Sequence, residues 1–534
     1  MSEAVAALSA RPDLNRRPRA AGSIIFIALL LVGLGYTLGG LIGDIQAAHT
    51  PPVAVGAFVL LGIALLIALG FEFVNGFHDT ANAVATVIYT HSLPPHVAVI
   101  WSGAFNFFGV MVSSGAVAFS VLSLLPVELI LQVGGGAGFA MIFALLIAAI
   151  IWNLGTWWLG LPASSSHTMI GSIIGVGLAN QLMSPAGSGT SGVDWAQAMG
   201  VFRALLFSPV VGFIASALLL LAMKAVIHNR TLYTAPTSDR APPLWIRGLL
   251  ILTCTGVSFA HGSNDGQKGM GLIMLILIGS VPTAFALNHA MPGSATPAFY
   301  QATARAQSVF AAHAAGASVA SAEAARGAVT AAVQARQISN SETWAALGTL
   351  ADDIARQVRA HGEMSQIPAA AVPNVRNDMY LVSEGIRLAL KSPGLSAQDA
   401  SALTAYRGAV DSATKFIPVW VKVAVAIALG LGTMIGWKRI VVTVGEKIGK
   451  SHLTYGQGAS AELIAAATIG AADMFGLPVS TTHVLSSGVA GTMAANGSGL
   501  QWSTVRSIAM AWVLTLPAAM LLSGTLYWLL RQVT

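Results

Sequence analysis

The sequence predicts an all-α polytopic membrane protein with about ten to twelve transmembrane segments and an internal duplication. Three observations support this fold class. Charged residues are scarce, apolar runs without any charge are long, and two short motifs occur twice at nearly the same separation.

Composition alone excludes a soluble protein. Of the 534 residues, 55% are hydrophobic and only 9% are charged, whereas soluble domains carry about 25% charged residues. A membrane-spanning helix needs about 20 apolar residues, so several of the uncharged runs are long enough for two spans. The runs without Asp, Glu, Lys or Arg are 20–43, 45–71, 80–127, 129–193, 204–223, 269–304, 474–505 and 507–530.

The first run follows a 19-residue polar leader and is too long for a cleaved signal peptide, so we expect a true span there. Basic clusters at 11–19 and 438–450 flank apolar runs and are typical of cytoplasmic topology signals, not of nucleic-acid binding. Cys254 is the single cysteine, which excludes an internal disulfide and a cysteine-based metal cluster. No phosphate-binding loop of the Walker type is present, so nothing indicates ATP-driven chemistry.

Residues 292–416 differ from the rest, because they hold 19 of the 48 charged residues and are rich in alanine. We predict an inserted, soluble, helical segment of about 125 residues, most simply a connector without chemistry of its own. The predicted organisation is a leader with an extra helix (1–53), a first membrane repeat (54–228), the start of a second repeat (244–291), the insert (292–416) and the rest of the second repeat (417–534).

Two motif pairs reveal the duplication. The segment "GLPASSSH" at 160–167 matches "GLPVSTTH" at 476–483, and "NGFHDTAN" at 75–82 aligns with "HGSNDGQK" at 261–268. Asp79 precedes His167 by 88 residues and Asp265 precedes His483 by 218, an excess of 130 that nearly equals the insert. Internal repeats in a many-span protein are typical of secondary transporters, whose sites lie near the midplane where the halves meet.

The hydroxyl motifs predict two helix starts that can hold an anion. A proline halts the preceding chain, and Ser or Thr residues then stand where N-caps are expected. Free backbone N–H groups and the positive helix end make such a start suitable for phosphate. Simple capping of two broken helices is the alternative. The hydroxyl residues are Ser164, Ser165, Ser166, Ser480, Thr481 and Thr482.

The acidic motifs predict a cation or proton site. A carboxylate inside the bilayer costs about 2.5–3.5 kcal/mol on insertion scales and is functional by default. Asp79 and Asp265 stand among oxygen- and nitrogen-bearing side chains suited to a hard cation or a proton, and a structural ion pair with Lys268 is the alternative. The predicted neighbours are Glu72, Asn75, His78, Asn82, Asn264, Gln267 and Lys268.

The histidines do not predict an enzyme. His167 and His483 directly follow hydroxyl residues, but adjacent residues on a helix point about 100° apart and no acid is placed to orient either ring. We expect both rings to brace the hairpins. His78, beside Asp79, has the chemistry of a proton carrier, and a satisfied interior histidine is the equal alternative. Glu462 and Asp473 have no counterpart in the first half and rank low as site residues.

Together, "NGFHDTANAVATVIYT", "LPASSSHTMIGSIIG", "HGSNDGQKGMG" and "PVSTTHVLSSGVAGTM" resemble the signature motifs of the PiT family of inorganic phosphate transporters. The resemblance runs from about residue 54 to the C-terminus. It implies an inverted-repeat secondary transporter fold with two re-entrant helical hairpins, and secondary transport of inorganic phosphate. It also implies phosphate at the six hydroxyl residues and cation or proton handling at Asp79, Asn82, Asn264 and Asp265.

The pair His78–Asp79 departs from the commoner Asn–Asp of that family and is similar to the bacterial low-affinity branch. The resemblance therefore favours a proton as the co-transported ion over sodium, no bound cofactor, and phosphate carried with a divalent metal as a neutral complex. It also implies an inner-membrane location in the lipid bilayer, with homo-oligomerisation left open. Sodium coupling, sulfate or arsenate as substrate, a membrane hydrolase and a passive anion channel are the alternatives.

Overall fold

The computed structural model describes residues 12–15, 20–48, 54–79, 81–131, 133–184, 192–236, 238–338, 340–362, 366–368, 371–392 and 394–533, with the side chains of 81 and 82 left out. Within these ranges the protein is helical, and its β-structure is one isolated bridge between Gly449 and Leu500. The predicted all-α class is confirmed.

The helices of the first half follow the apolar runs. They are α1 (Ala20–Ala47), α2 (Val55–Asp79), α3 (Ala81–Tyr89), α4 (Pro95–Val112), α5 (Ala116–Leu122), α6 (Val127–Leu131), α7 (Gly136–Trp158), α8 (Ser165–Met183) and α9 (Trp195–Val226), followed by a 3-10 turn at Arg230–Tyr233.

The second half begins with α10 (Leu244–Ser280) and the short α11 (Pro282–Phe285). After a 3-10 turn at Gly293–Ala295, the predicted insert contains α12 (Thr296–Ala314), α13 (Ala322–Ala335), α14 (Ser341–His361), α15 (Val372–Ala389) and α16 (Ala397–Thr414). The chain continues with α17 (Val419–Thr433), α18 (Lys438–Val442), a π-helical turn at Thr443–Lys447, α19 (Tyr455–Met474), α20 (Thr481–Ala495) and α21 (Trp502–Leu530).

Within the described residues, seven helical stretches are long and apolar enough to cross a membrane, or eight if the pair α16 and α17, bent by 74°, is one span. This is fewer than the ten to twelve expected from the uncharged runs. The difference arises because parts of those runs fold as short helices, such as α5, α6 and the 15-residue α20. The helix predicted at 20–43 is present as α1.

The two halves exchange helices reciprocally. Helix α8 packs along α21, and its counterpart α20 packs along α9. In the same way α2 packs against α17, and α10 packs against α4. The structure thus agrees with a duplicated unit whose copies interlock, as the repeated motifs predict. The domain boundaries given above stay predictions.

Each hairpin turns at a glycine in the left-handed region. Gly160 has φ of +68° and Gly476 has φ of +64°, where a side chain would be strained. The turns place α7 beside α8 and α19 beside α20. The two "GLP" segments therefore build the same turn twice.

Glycines of the acidic motifs let backbones approach closely. A Cβ atom added to Gly76 would lie 2.2 Å from the carbonyl oxygen of Leu429 on α17, and one added to Gly262 would lie 2.1 Å from that of Asn106 on α4. Asp79 and Asp265 follow these glycines by three residues. The equivalent contacts therefore place both carboxylates in the same interior.

Replacement of Gly262 by Ala is expected to lower stability by about 1–3 kcal/mol, because α4 and α10 must separate. Gly248→Ala on the same helix is the matched control, since a Cβ there meets nothing within 4 Å. Thermal unfolding of the purified protein measures both. Equal unfolding temperatures for the two variants would contradict the close approach.

Candidate functional site

The two acidic motifs meet at one buried point. Single ligand atoms of Asp79, His261 and Asp265 all lie within 4.8 Å of one another, and the three residues are at most 1% exposed. Asp79 is on α2, and Asp265 is on α10. The structure therefore brings together the two carboxylates that the sequence predicts as a pair.

Asp79 lies between the starts of the two hairpin helices. Ser165 Oγ donates to Asp79 Oδ2, and Thr482 Oγ1 donates to Asp79 Oδ1 at 3.0 Å. Ser165 is the first residue of α8, and Thr482 is the second residue of α20. The Asp79 carboxylate thus accepts hydrogen bonds from hydroxyl groups of both halves. It lies at the positive N-terminal ends of α8 and α20.

Two further serines form the predicted helix caps. Ser164 Oγ accepts from the backbone N–H of His167 at 3.2 Å, and Ser480 Oγ accepts from that of His483 at 3.1 Å. These bonds satisfy one free N–H group at each helix start. Thr481 is also buried, and its Oγ1 has no hydrogen-bond partner among the described residues.

Asp265 is held by a buried lysine. Lys268 Nζ lies 2.7 Å from Asp265 Oδ1 and also donates to Ser166 Oγ. Ser166 Oγ in turn donates to the backbone oxygen of Val479 at 2.8 Å, just before α20. The ion pair considered from the sequence is therefore present at Asp265, and it is linked to both hairpins.

His78 connects Asp79 to α7. Its Nδ1 lies 2.8 Å from Asp79 Oδ1, and its Nε2 lies 3.1 Å from Thr156 Oγ1. Thr156 Oγ1 is also within reach of the backbone oxygens of Trp152 and Asn153, at 3.0 and 3.1 Å. When Thr156 donates its hydroxyl proton to one of these carbonyls, His78 Nε2 must be the donor in its contact with Thr156 Oγ1. The contact between Nδ1 and Asp79 then contains one proton, on the ring or on the carboxyl.

Glu72 and Asn75 extend the same network along α2. Ser165 Oγ is 2.8 Å from Asn75 Oδ1, and Asn75 Nδ2 is 3.4 Å from Glu72 Oε2. Both side chains are fully buried. The expectation that Glu72 joins the Asp79 network agrees with this chain of contacts.

Asn264 and Gln267 face the second hairpin instead of Asp79. Asn264 Nδ2 donates to the backbone oxygen of Leu477 at 3.1 Å, and Gln267 Nε2 donates to Asp473 Oδ1 at 2.6 Å. Gln267 Oε1 accepts from the backbone N–H of Val117 at 2.9 Å. These residues fix α10 to its surroundings. Asn82 was predicted for the site, but its side chain lies outside the described residues.

The two hairpin histidines are in contact. The ring centroids of His167 and His483 are 4.4 Å apart, and His483 stacks on Trp512 at 4.1 Å. Trp512 Nε1 donates to the backbone oxygen of Pro162 at 2.8 Å. The rings therefore lie where the two hairpins meet, consistent with a bracing role.

Sequence reasoning missed His261 and undervalued Asp473. His261 lies four residues before Asp265, on the same helical face, and aligns with Asn75 in the other motif copy, a signal that was available. Its Nδ1 is 2.8 Å from Asn106 Oδ1. Asp473 accepts from Ser263 and Gln267, at 2.6 Å each. It was ranked low because the first half has no counterpart of this residue.

Glu462 forms a separate cluster. It is fully buried and accepts from the hydroxyl groups of Thr86 and Thr253. Thr253 precedes Asp265 by twelve residues on α10, which corresponds to about 18 Å along the helix. Its low rank as a member of the Asp79 site therefore agrees with its position.

Chemically, the site combines anion donors with cation ligands. Asp79, Asp265 and the imidazole of His261 offer a ligand set for a cation, and carboxylates suit Mg²⁺ or Mn²⁺ while imidazole suits transition metals. The hydroxyl groups and helix starts offer donors for an oxyanion. A site that holds both kinds of ion suits joint binding of an anion and a cation.

Comparison with known proteins agrees with this chemistry. Residues 75–523 match the model of the phosphate transporter family PHO4. The chain is 44% identical over 492 residues to the low-affinity inorganic phosphate transporter PitA of Escherichia coli K12, covering 89% of this chain and 97% of that protein. It is 41% identical to PitB of the same strain over 496 residues, covering 90% and 99%.

A solved structure described as the sodium-dependent phosphate transporter is similar in fold, with a TM-score of 0.50 and 21% identity, covering 89% of this chain and 100% of that chain. The relatives are named as transporters and not as enzymes, as predicted. With its apolar helices, the chain fits an integral protein of the bacterial inner membrane. This chain belongs to the phosphate transporter family.

Proposed function

We propose that this protein is a low-affinity inorganic phosphate symporter that couples uptake to protons through Asp79. One observation carries the proposal: the hydroxyl groups of Ser165 and Thr482, which are the expected phosphate donors, both donate to Asp79. An internal carboxylate thus occupies the anion position between the two helix starts.

Neutralising Asp79 links the two ions. A protonated carboxyl accepts hydrogen bonds more weakly than a carboxylate does, so its protonation releases Ser165 and Thr482 for phosphate. His78, 2.8 Å from Asp79, is placed to pass the proton. Phosphate binding and proton binding then favour each other, which is the requirement for symport.

Charge balance supports the same conclusion. Two carboxylates, Asp79 and Asp265, face one permanent cation, Lys268, in a buried space. While His78 is neutral and Asp79 is ionised, an approaching phosphate anion meets net negative charge, and repulsion between buried charges is strong because screening by water is weak. A co-transported positive charge removes this barrier.

The ligand set favours a proton or a divalent metal over sodium. Sodium is a hard cation best served by oxygen atoms alone, whereas two of the groups around Asp79 are the imidazoles of His78 and His261. This supports protons as the driving ion and metal–phosphate complexes as accepted cargo. Asp265 and His261 would face the metal of such a complex while the hydroxyl groups hold the phosphate, because Asp79 carries the proton.

Alternating access follows from the same architecture. The site lies at the contact between halves that exchange helices, and transporters of this kind rock one repeat against the other around a fixed site. We propose that the hairpins α8 and α20 move relative to one another, with the contact between His167 and His483 broken in one of the two states.

Uptake of labelled phosphate into proteoliposomes tests the proposal. An inward-directed proton gradient is expected to drive accumulation, a sodium gradient is not, and chelation of magnesium should lower the rate. Flux indifferent to both gradients would indicate a channel.

Sodium coupling is the second candidate, because the solved structure of similar fold is described as sodium-dependent. Accumulation driven by sodium alone would establish it and overturn proton coupling. Competition by unlabelled arsenate and sulfate in the same assay defines the range of oxyanions. Arsenate, which has the geometry of phosphate, should compete more strongly than sulfate.

A further inference from the structure

A cavity that does not include the Asp79 site lies between the inserted helices and the membrane helices. It has a volume of about 350 Å³, with α15 and α16 on one side and α5 and α10 on the other. Four cationic side chains and two carboxylates line it. They are Arg376, Arg387, Arg407, Lys415, Glu384 and Asp411. The lining therefore has a net charge of +2.

Arg376 is the least compensated of these cations. It is only 7% exposed, and it donates to the backbone oxygen of Ile130 at 3.2 Å and to Asn377 Oδ1 at 3.1 Å. Its guanidinium carbon lies 5.5 Å from the ring centre of Tyr380. Among the described residues no carboxylate lies within 4 Å of it. Burial lowers the pKa of Arg376, and Tyr380 opposes this shift, so a bound anion would relieve an unfavourable burial.

The three remaining cations share three acids with Arg336, which pairs with Asp194 at 3.8 Å, so four cations face three acids. Arg387 pairs with Glu384 at 2.6 Å and with Asp194 at 3.3 Å. Arg407 and Lys415 both depend on Asp411, at 3.8 and 2.9 Å. One of these two positive charges is therefore in surplus, in addition to Arg376.

The cavity lies close to the proposed transport site. Met274, Leu275 and Ile278 of α10 form part of its wall. Met274 is six residues beyond Lys268, which is about 9 Å along the helix. Ala116 of α5 also lines the cavity, and the next residue, Val117, donates its backbone N–H to Gln267. The cavity and the Asp79 site thus share helix α10, and α5 is hydrogen-bonded to that helix.

We propose that this cavity binds a phosphate group, with the guanidinium of Arg376 and the surplus charge of Arg407 and Lys415 as its counter-ions. The fork of an arginine fits a tetrahedral oxyanion in two-point contact. The group belongs either to free phosphate, held before it reaches Asp79, or to the head of an anionic lipid. The first case deepens the proposed transport function and rests on it. The second case does not.

Thiol labelling in the full-length protein tests the cavity without requiring transport. Cys254 is fully buried, so a cysteine introduced by Ser123→Cys in the cavity lining is the reactive thiol. An anionic methanethiosulfonate reagent labels it in phosphatidylcholine vesicles, with and without inorganic phosphate. Ser308→Cys, on the exposed face of α12, is the matched control.

Phosphate is expected to slow labelling severalfold at Ser123→Cys and to leave Ser308→Cys unchanged. Adding Lys415→Gln or Arg376→Gln should abolish this protection, whereas Arg305→Gln, on the exposed surface of α12, should preserve it. If Arg376→Gln does not fold, Lys415→Gln gives the same answer, because Asp411 keeps Arg407 as its partner.

Vesicles that contain phosphatidylglycerol distinguish the two sources. Protection there without added phosphate identifies the lipid head group as the ligand, and protection only by added phosphate identifies the free ion. If neither protects the thiol, the cavity does not bind phosphate groups and the inference is wrong. The uptake assay remains a separate test, so failure of transport and failure of this site are read independently.

Discussion

Asp79→Asn is expected to reduce phosphate uptake to the background of empty vesicles while the protein still inserts and folds. An amide cannot gain or lose a proton in the coupling step, and its NH₂ group cannot accept from Ser165 or Thr482 as both carboxylate oxygens do. The lost hydrogen bonds cost about 1.5–3 kcal/mol each in stability, whereas the loss of uptake follows from the missing proton step. Initial rates in proteoliposomes under a proton gradient measure the loss.

Asp265→Asn is expected to behave in the same way. Asp44→Asn is the control, because Asp44 lies on α1, outside the motifs. It accepts from Trp420 Nε1 at 2.7 Å, and an amide oxygen can replace that acceptor. Proton-driven uptake at the normal rate by Asp79→Asn would disprove coupling through this carboxylate.

Lys268→Met should both destabilise the protein and stop uptake. The variant leaves Asp265 buried without its 2.7 Å partner and removes a donor to Ser166. Breaking a buried ion pair on one side costs about 3–5 kcal/mol, and the hairpins lose a link to α10. Thermal unfolding and uptake are measured on the same preparation.

The double variant Asp265→Asn with Lys268→Met separates structure from function. It removes both buried charges, so most of the stability should return. Uptake should stay absent, since the coupling carboxylate and the cation beside the phosphate donors are both missing. Recovery of uptake together with stability would assign this ion pair a purely structural role.

The helix starts and the paired motifs could be predicted from the sequence because they depend on neighbouring residues. Ser164 and Ser480 are recognisable as caps by their position after a Gly-Leu-Pro turn, and the structure shows both cap bonds. The approach of Asp79 to Asp265 also followed, because matched spacing indicated a duplicated unit whose sites meet between halves.

The partners of each carboxylate could not be predicted. Ser165 and Thr482 were expected to face phosphate, but the distances that make them donors to Asp79 depend on how four helices cross.

The reciprocal exchange of helices has a consequence for biosynthesis. When the ribosome has made the first half, α8 and α9 have not yet met α21 and α20, against which they pack. Their glycine-bearing faces stay without their final neighbours until α20 and α21, residues 481–530, are synthesised. Assembly of the interior is therefore a post-translational event, and the two halves made as separate polypeptides should complement each other in one membrane.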